Sequence, residues 1–117
     1  MQIALLDDDR GVRESLRFFL RIVGHDVSDY ASADEFLSDC DLDRVAGLIL
    51  DHHMPRMTGL ELATRLRADG WRFPILLITG APSPAIVSRA AELGIEKVLA
   101  KPPREADIMA FIDRLAE

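Results

Sequence analysis

Cysteine is almost absent: Cys40 is the only one in 117 residues. No intrachain disulfide can form, and no multi-cysteine metal site can be built. No apolar run approaches the ~20 residues of a membrane span. The N-terminus passes from Ile3-Ala4-Leu5-Leu6 directly into three aspartates, without the charged n-region and long h-region of a signal peptide. Basic residues are outnumbered, 14 against 20 acidic, for a formal charge of −6. They are not gathered into a stripe, so this chain is not expected to bind nucleic acid. There is no internal repeat, low-complexity tract or Ser/Gly linker, and therefore no sign of a boundary within residues 1–117. These absences exclude a membrane protein, a disulfide scaffold and a disordered tail. The expectation is one small cytoplasmic domain. With 49% hydrophobic residues, it can bury one core and should have a radius of gyration near ~13 Å.

What is present is an alternation of short apolar runs with longer amphipathic stretches. Ile3–Leu6, Val27–Tyr30, Leu48–Leu50, Ile75–Ile78 and Val98–Ala100 read as five strands. Between them lie five helical patterns. Val12, Leu16, Phe19, Leu20 and Val23 recur at helical spacing until Gly24 stops the first. Ser32-Ala33-Asp34-Glu35 and Thr58-Gly59-Leu60-Glu61 read as capping boxes opening the second and third. Ser83-Pro84 sets a cap before a helix-starting proline for the fourth. Ile108, Phe111, Ile112 and Leu115 mark the fifth. Continuous rather than alternating apolar strands indicate burial on both faces. The predicted fold is therefore α/β: a doubly wound, five-stranded parallel sheet with helices on each side. Its expected strand order is the flavodoxin-like 2-1-3-4-5. A (β/α)8 barrel would need about twice the residues.

In such a sheet every strand delivers its C-terminal end to one edge, and the crevice there is the usual site. The first strand delivers Asp7, Asp8 and Asp9; the third, Asp51; the fourth, Thr79; the fifth, Lys101. Asp9 reads as a cap of the first helix. The remaining carboxylates repel one another, and burial sharpens the repulsion. A hard divalent cation relieves it, and Mg²⁺ suits an open site that retains waters. Lysine is rare here, two against twelve arginines, which marks Lys101 as a position where a compact point charge is wanted. Together these groups suit phosphoryl transfer. Asp7 and Asp8 would hold the metal, Asp51 would attack phosphorus to give an acyl phosphate, and Thr79 and Lys101 would bind phosphoryl oxygens.

The ordered set resembles a bacterial two-component response-regulator receiver domain, over the whole chain. The residues that carry the likeness are Asp7-Asp8, Asp51-His52-His53-Met54-Pro55 with Gly59 downstream, Thr79-Gly80, and Lys101-Pro102. The stretch Tyr30–Leu37 and the Ile78-Thr79-Gly80 ending look most like receivers of the nitrogen-fixation/nitrate regulator group. The resemblance implies that Asp51 is the phosphoacceptor, with Thr79 the switch hydroxyl and Lys101 the phosphate-binding lysine. It implies Mg²⁺ bound directly by Asp8, largely through water by Asp7, and by Asp51 and the backbone carbonyl of His53. It also implies a phosphohistidine donor, on a sensor histidine kinase or a phosphotransfer protein, docking near Val12, Arg13 and Ser15. Such a domain is a switch that assists its own phosphorylation and dephosphorylation rather than an enzyme. Its expected output surface is the face of the fourth helix, fifth strand and fifth helix, carrying Ile86, Arg89, Glu92, Lys97 and Asp113, a candidate homodimer contact.

Three positions depart from the family pattern. Val98 stands where an aromatic usually reports the threonine's position. Pro103 follows Lys101-Pro102 where phenylalanine is usual, stiffening the chain there. His53 replaces a more usual Asn, Arg or other polar residue, and its side chain could alter water access to a phosphoryl group.

Two other readings compete. One is a small aspartate-nucleophile phosphatase, since Asp7-x-Asp9 resembles its catalytic pair; such enzymes usually need a cap domain, for which there is no room. The other is a phosphate-independent interaction module. His52 and His53 are expected to point apart, so they do not share a transition metal. Met54 and Met57 read as packing residues, Cys40 as inert, and Trp71 as a partly buried loop anchor. Phe18 and Ile22 lie off the apolar stripe of the first helix, either packed under the last helix or part of a partner surface.

Overall fold

A computed structural model describes residues 2–116. The elements follow in strict alternation: β1 (Gln2–Leu6), α1 (Arg10–Ile22), β2 (Asp26–Tyr30), α2 (Ala33–Asp39), β3 (Val45–Asp51), α3 (Gly59–Ala68), β4 (Ile75–Thr79), α4 (Pro84–Glu92), β5 (Lys97–Ala100) and α5 (Glu105–Leu115). All strand pairs are parallel and the order is β2-β1-β3-β4-β5. The expected topology is thus the observed one, and the radius of gyration is 12.8 Å.

Alternate residues of each central strand feed two separate cores. Ala4, Leu6, Leu48, Leu50 and Leu77 face α2, α3 and α4, where Phe36, Leu62, Leu66 and Ala90 are buried. Ile3, Leu5, Ile49, Leu76 and Ile78 face the other side, where Leu20, Ile108 and Ile112 of α1 and α5 cover them. Burial on both faces is why these strands show no polar alternation. The edge strands β2 and β5 are more exposed and admit polar residues.

Helix starts follow the capping chemistry closely. Asp9 accepts from Val12 N–H at 3.1 Å, and Ser83 from Ile86 N–H at 3.2 Å. Thr58 and Glu61 form a reciprocal capping box. At α2 the box is shifted: Ser32 accepts from Glu35 N–H, but the Glu35 carboxylate reaches Ala31 N–H, one residue earlier. Gly24, at φ 94°, ends α1 in a conformation that costs other residues a Cβ clash.

The largest departure from the expected boundaries is at β3. β3 begins at Val45, three residues before the apolar run, because Ala46 and Gly47 carry little strand signal. Gly47 is needed for packing: a Cβ there would lie 2.5 Å from Leu115 Cδ1 of α5. A 3₁₀ turn at Leu42–Arg44, capped by Asp41, also precedes β3. Phe18 and Ile22 are 68% and 67% exposed, so neither packs under α5. Met54 is buried, and Met57 and Trp71 pack against the α2–α4 core as expected.

Candidate functional site

The C-terminal ends of β1, β3, β4 and β5 meet at one edge, and their polar residues arrive together. Among the described residues, the only buried polar side chains are Asp7, Asp51 and Thr79. They follow or close three adjacent strands. Asp8 stands exposed beside them. Oxygens of Asp7, Asp8 and Asp51 lie within 4.8 Å of one another.

Each is held by backbone geometry that the sequence makes possible. The N–H of Asp7 donates to Tyr30 O at 3.2 Å, continuing the β1–β2 ladder. Its Oδ1 accepts from Asp9 N–H at 2.8 Å, and its carbonyl accepts from Arg13 Nη1 at 2.9 Å. Asp51 closes β3, and His52 N–H donates onward to Ile78 O at 2.9 Å. α3 begins directly against this strand end: a Cβ on Gly59 would lie 2.6 Å from Asp51 O and 2.9 Å from His52 Cα. Only glycine permits that approach. Lys101 N–H donates to Thr79 O at 3.0 Å, anchoring the chain after β5; the following Lys101–Pro102 peptide is cis.

The Lys101 ammonium lies 3.0 Å from Asp51 Oδ1 and 3.8 Å from Asp7 Oδ2. Burial alone would lower its pKa, but the hydrogen bond to Asp51 and the charges of Asp7 and Asp51 raise it, so it stays charged. One ammonium does not balance three carboxylates. Burial first, with Asp51 adding repulsion against the pull of the Asp9 N–H, pushes the Asp7 carboxyl up to about 6. Asp8 is raised too, by burial and then by Asp51.

Asp51 Oδ1 is further approached by His53 N–H at 3.3 Å. Asp51 Oδ2 is buried and has no hydrogen-bond partner among the described residues. A buried carboxylate oxygen without a donor is costly and calls for one. Oxygen-only donors, excess negative charge and an orphaned oxygen fit a hard divalent cation such as Mg²⁺. They fit a soft or imidazole-seeking metal poorly.

The histidines do not splay as the sequence suggested. Their rings meet edge to face with centroids 5.1 Å apart, because β3 has already ended and strand alternation no longer applies. Each is separately engaged: His52 Nδ1 accepts from Leu60 N–H at 3.4 Å, and His53 Nε2 lies 2.7 Å from Thr79 Oγ1. The His52 pKa is lowered, by burial first and then by His53. The contact between His53 and Thr79 was not foreseen in the sequence; the residues are 26 apart and no local pattern signals it.

Arg13 is also placed differently from the docking role expected of it. Its side chain turns inward to the Asp7 carbonyl and to Asp29 at 3.1 Å, with Arg17 on the other Asp29 oxygen at 3.0 Å. An aspartate inside β2 and two arginines four apart on α1 were the available signal. On the α4 side, Ile86 packs partly into the core, and Arg89 turns to Glu92 at 2.8 Å and Thr64 at 3.2 Å. Glu92, Lys97 and Asp113 are exposed. Burial pushes the Cys40 thiol pKa up, so little reactive thiolate forms.

A family model described as the response regulator receiver domain matches residues 3–113. The response regulator protein TodT of Pseudomonas putida is 34% identical over 110 residues, covering 94% of this chain and 48% of that protein. Response regulator MprA of Mycobacterium leprae is 37% identical over 115 residues, covering 98% of this chain and 50% of the relative. The chain thus spans about half the length of the curated relatives it matches. The solved structure of the Vibrio cholerae chemotaxis protein CheY4 at low pH superposes with a TM-score of 0.87, at 26% identity, covering 97% of both chains.

Proposed function

This chain belongs to the response regulator receiver family, and from that premise we propose that residues 1–117 form a phosphoacceptor switch whose acceptor is Asp51. The observation that carries the reading is the state of Asp51: buried, with one oxygen paired to Lys101 at 3.0 Å and the other without a partner. A carboxylate in that setting is oriented and only half satisfied. It attacks phosphorus through oxygen as the donor's P–N bond breaks, and the bonding pair returns to the imidazole nitrogen of the leaving histidine. The Lys101 ammonium takes a phosphoryl oxygen, which also screens the approach of one anion to another. The Thr79 hydroxyl takes a second. Asp7, Asp8 and Asp51, with the backbone carbonyl of His53, would hold Mg²⁺, which when bound supplies positive charge against the phosphoryl oxygens.

The donor class is a phosphohistidine on a sensor kinase or phosphotransfer protein in the cytoplasm, and the chain acts as a relay component rather than a turnover enzyme. Phosphorylation would bias the α4-β5-α5 face toward a copy or partner. The likeness of Tyr30–Leu37 and of the Ile78-Thr79-Gly80 ending supports membership of the nitrogen-fixation/nitrate regulator group. Incubation with acetyl phosphate and Mg²⁺, followed by borohydride trapping and mass spectrometry, tests the reading. Label on Asp51, lost in Asp51→Asn, is expected. Label on Asp7 would favour the aspartate-nucleophile phosphatase, and no label at all the phosphate-independent module.

A further inference from the structure

The hydroxyl of Thr79 is already committed before any phosphoryl group arrives. It is fully buried, and His53 Nε2 lies 2.7 Å from it while the rest of His53 stands exposed. A threonine hydroxyl offers one proton and two lone pairs. Ala81 N–H occupies one lone pair at 3.1 Å. No other hydrogen bond to Oγ1 is formed among the described residues. If Nε2 carried the imidazole proton, the buried hydroxyl proton would have no acceptor, an arrangement proteins avoid. The consistent assignment has Thr79 O–H donating to a bare Nε2, with the ring proton on Nδ1.

We infer that His53 is a positioning residue for Thr79: its imidazole holds the hydroxyl proton in the unphosphorylated chain and competes for it with the phosphoryl oxygens on Asp51. The inference deepens the phosphoacceptor reading and rests on it. The competition follows from hydrogen-bond inventory. A phosphoryl group presents acceptors to its neighbours, and Thr79 has a single proton to give. One hydrogen bond is exchanged for another, and no covalent bond changes. The released ring is free to turn to solvent because His53 already lies at the surface. Asp51 Oδ2 meanwhile has no donor, although a hydroxyl one strand away has a proton. That proton is in use elsewhere.

The test is beryllofluoride titration of the whole chain in Mg²⁺, read from the Ala81 amide resonance by NMR, which every variant retains. His53→Phe keeps the ring bulk and removes the acceptor. It should bind beryllofluoride about 3- to 10-fold more tightly than the parent, the range of one net hydrogen bond. His53→Gln keeps an acceptor and should return toward the parent value. In a Thr79→Val background the His53→Phe effect should vanish. A His53→Phe variant that binds equally or more weakly overturns the inference, since bulk alone would then explain the contact. An independent readout is the imidazole ¹⁵N spectrum of the ligand-free chain in mildly alkaline buffer. Proton on Nδ1 supports the assignment; proton on Nε2 refutes it. If parent and variants alike ignore beryllofluoride, the phosphoacceptor reading fails, while the tautomer still decides whether His53 holds the Thr79 proton.

Discussion

Replacing Asp7 by asparagine should stabilise the metal-free chain at neutral pH. The Asp7 carboxyl is raised from 3.8 to about 6, first by burial. Asparagine mimics its neutral form and can still accept from Asp9 N–H. A raised acid pKa means the native state binds the proton more tightly than the unfolded chain. The ionised carboxylate is therefore a cost that is absent below the unfolded pKa, grows between the two values, and is fully present above the folded one. Near pH 7 linkage puts that cost on the order of 3 kcal/mol, falling by about half near pH 5. With a urea slope near ~1.5 kcal/mol/M, the Asp7→Asn midpoint should lie roughly 2 M above the parent at neutral pH. The gap should narrow on acidification. Trp71, the sole tryptophan and half-buried beside Phe73, is the fluorescent reporter. Saturating Mg²⁺ should stabilise the parent, by about 2.7 kcal/mol at a hundred times Kd. It should leave the variant nearly unchanged, closing the gap. A variant less stable than the parent in EDTA at neutral pH would refute the claim that the acidic cluster is held at the expense of stability.

Four further outcomes follow from other residues. Lys101→Ala removes the only ammonium at the site among the described residues and should slow acetyl phosphate labelling of Asp51 by about 10- to 100-fold; unchanged kinetics would remove Lys101 from the mechanism. Gly59→Ala forces a Cβ against the Asp51 and His52 backbone and should lower stability by about 1–3 kcal/mol in urea, so a neutral effect would contradict the 2.6 Å approach. Phe36→Ala should cost about 3–5 kcal/mol as a buried core truncation. Phe18→Ser, at an exposed position, should stay within about 0.5 kcal/mol, and a large loss there would mean α1 is covered in solution.

Topology was legible because four of the five helices announce their start with a polar cap, and because the central strands are apolar on both faces. That pattern only a covered parallel sheet explains. The site was legible for the same reason. Asp7, Asp51, Thr79 and Lys101 stand at or just past strand ends, so knowing the sheet is parallel already brings them to one edge. What sequence could not show depends on side-chain direction after regular structure stops. His52 and His53 were judged by strand alternation, which ends at Asp51, and their rings instead meet each other. Arg13 sits on the helix nearest the site, yet it turns toward Asp29 because an acid inside β2 needs a partner more than solvent does. The start of β3 was missed because Ala46 carries little strand signal and Gly47 is selected by the Leu115 and Phe111 side chains packed over it, contacts more than 60 residues away in sequence.

Buried polarity is concentrated at the edge where the candidate site lies. All three buried polar side chains among the described residues lie together, so the chain concentrates its unfavourable burial where ligands can relieve it. Thr79 couples that relief to the helix beyond. Its Oγ1 accepts from Ala81 N–H, and Ser83, two residues further, caps α4 through Ile86 N–H. A partner that takes the Thr79 proton therefore acts on an oxygen that also fixes the turn leading into α4. Because that turn is short, a shift in the hydroxyl has to be absorbed at the Ser83 cap or by rotation of the helix it begins. Ile86 and Ala90 of that helix pack into the α2–α4 core while Val87 is exposed. Rotation would exchange apolar surface between core and solvent, a cost that opposes free sliding of α4.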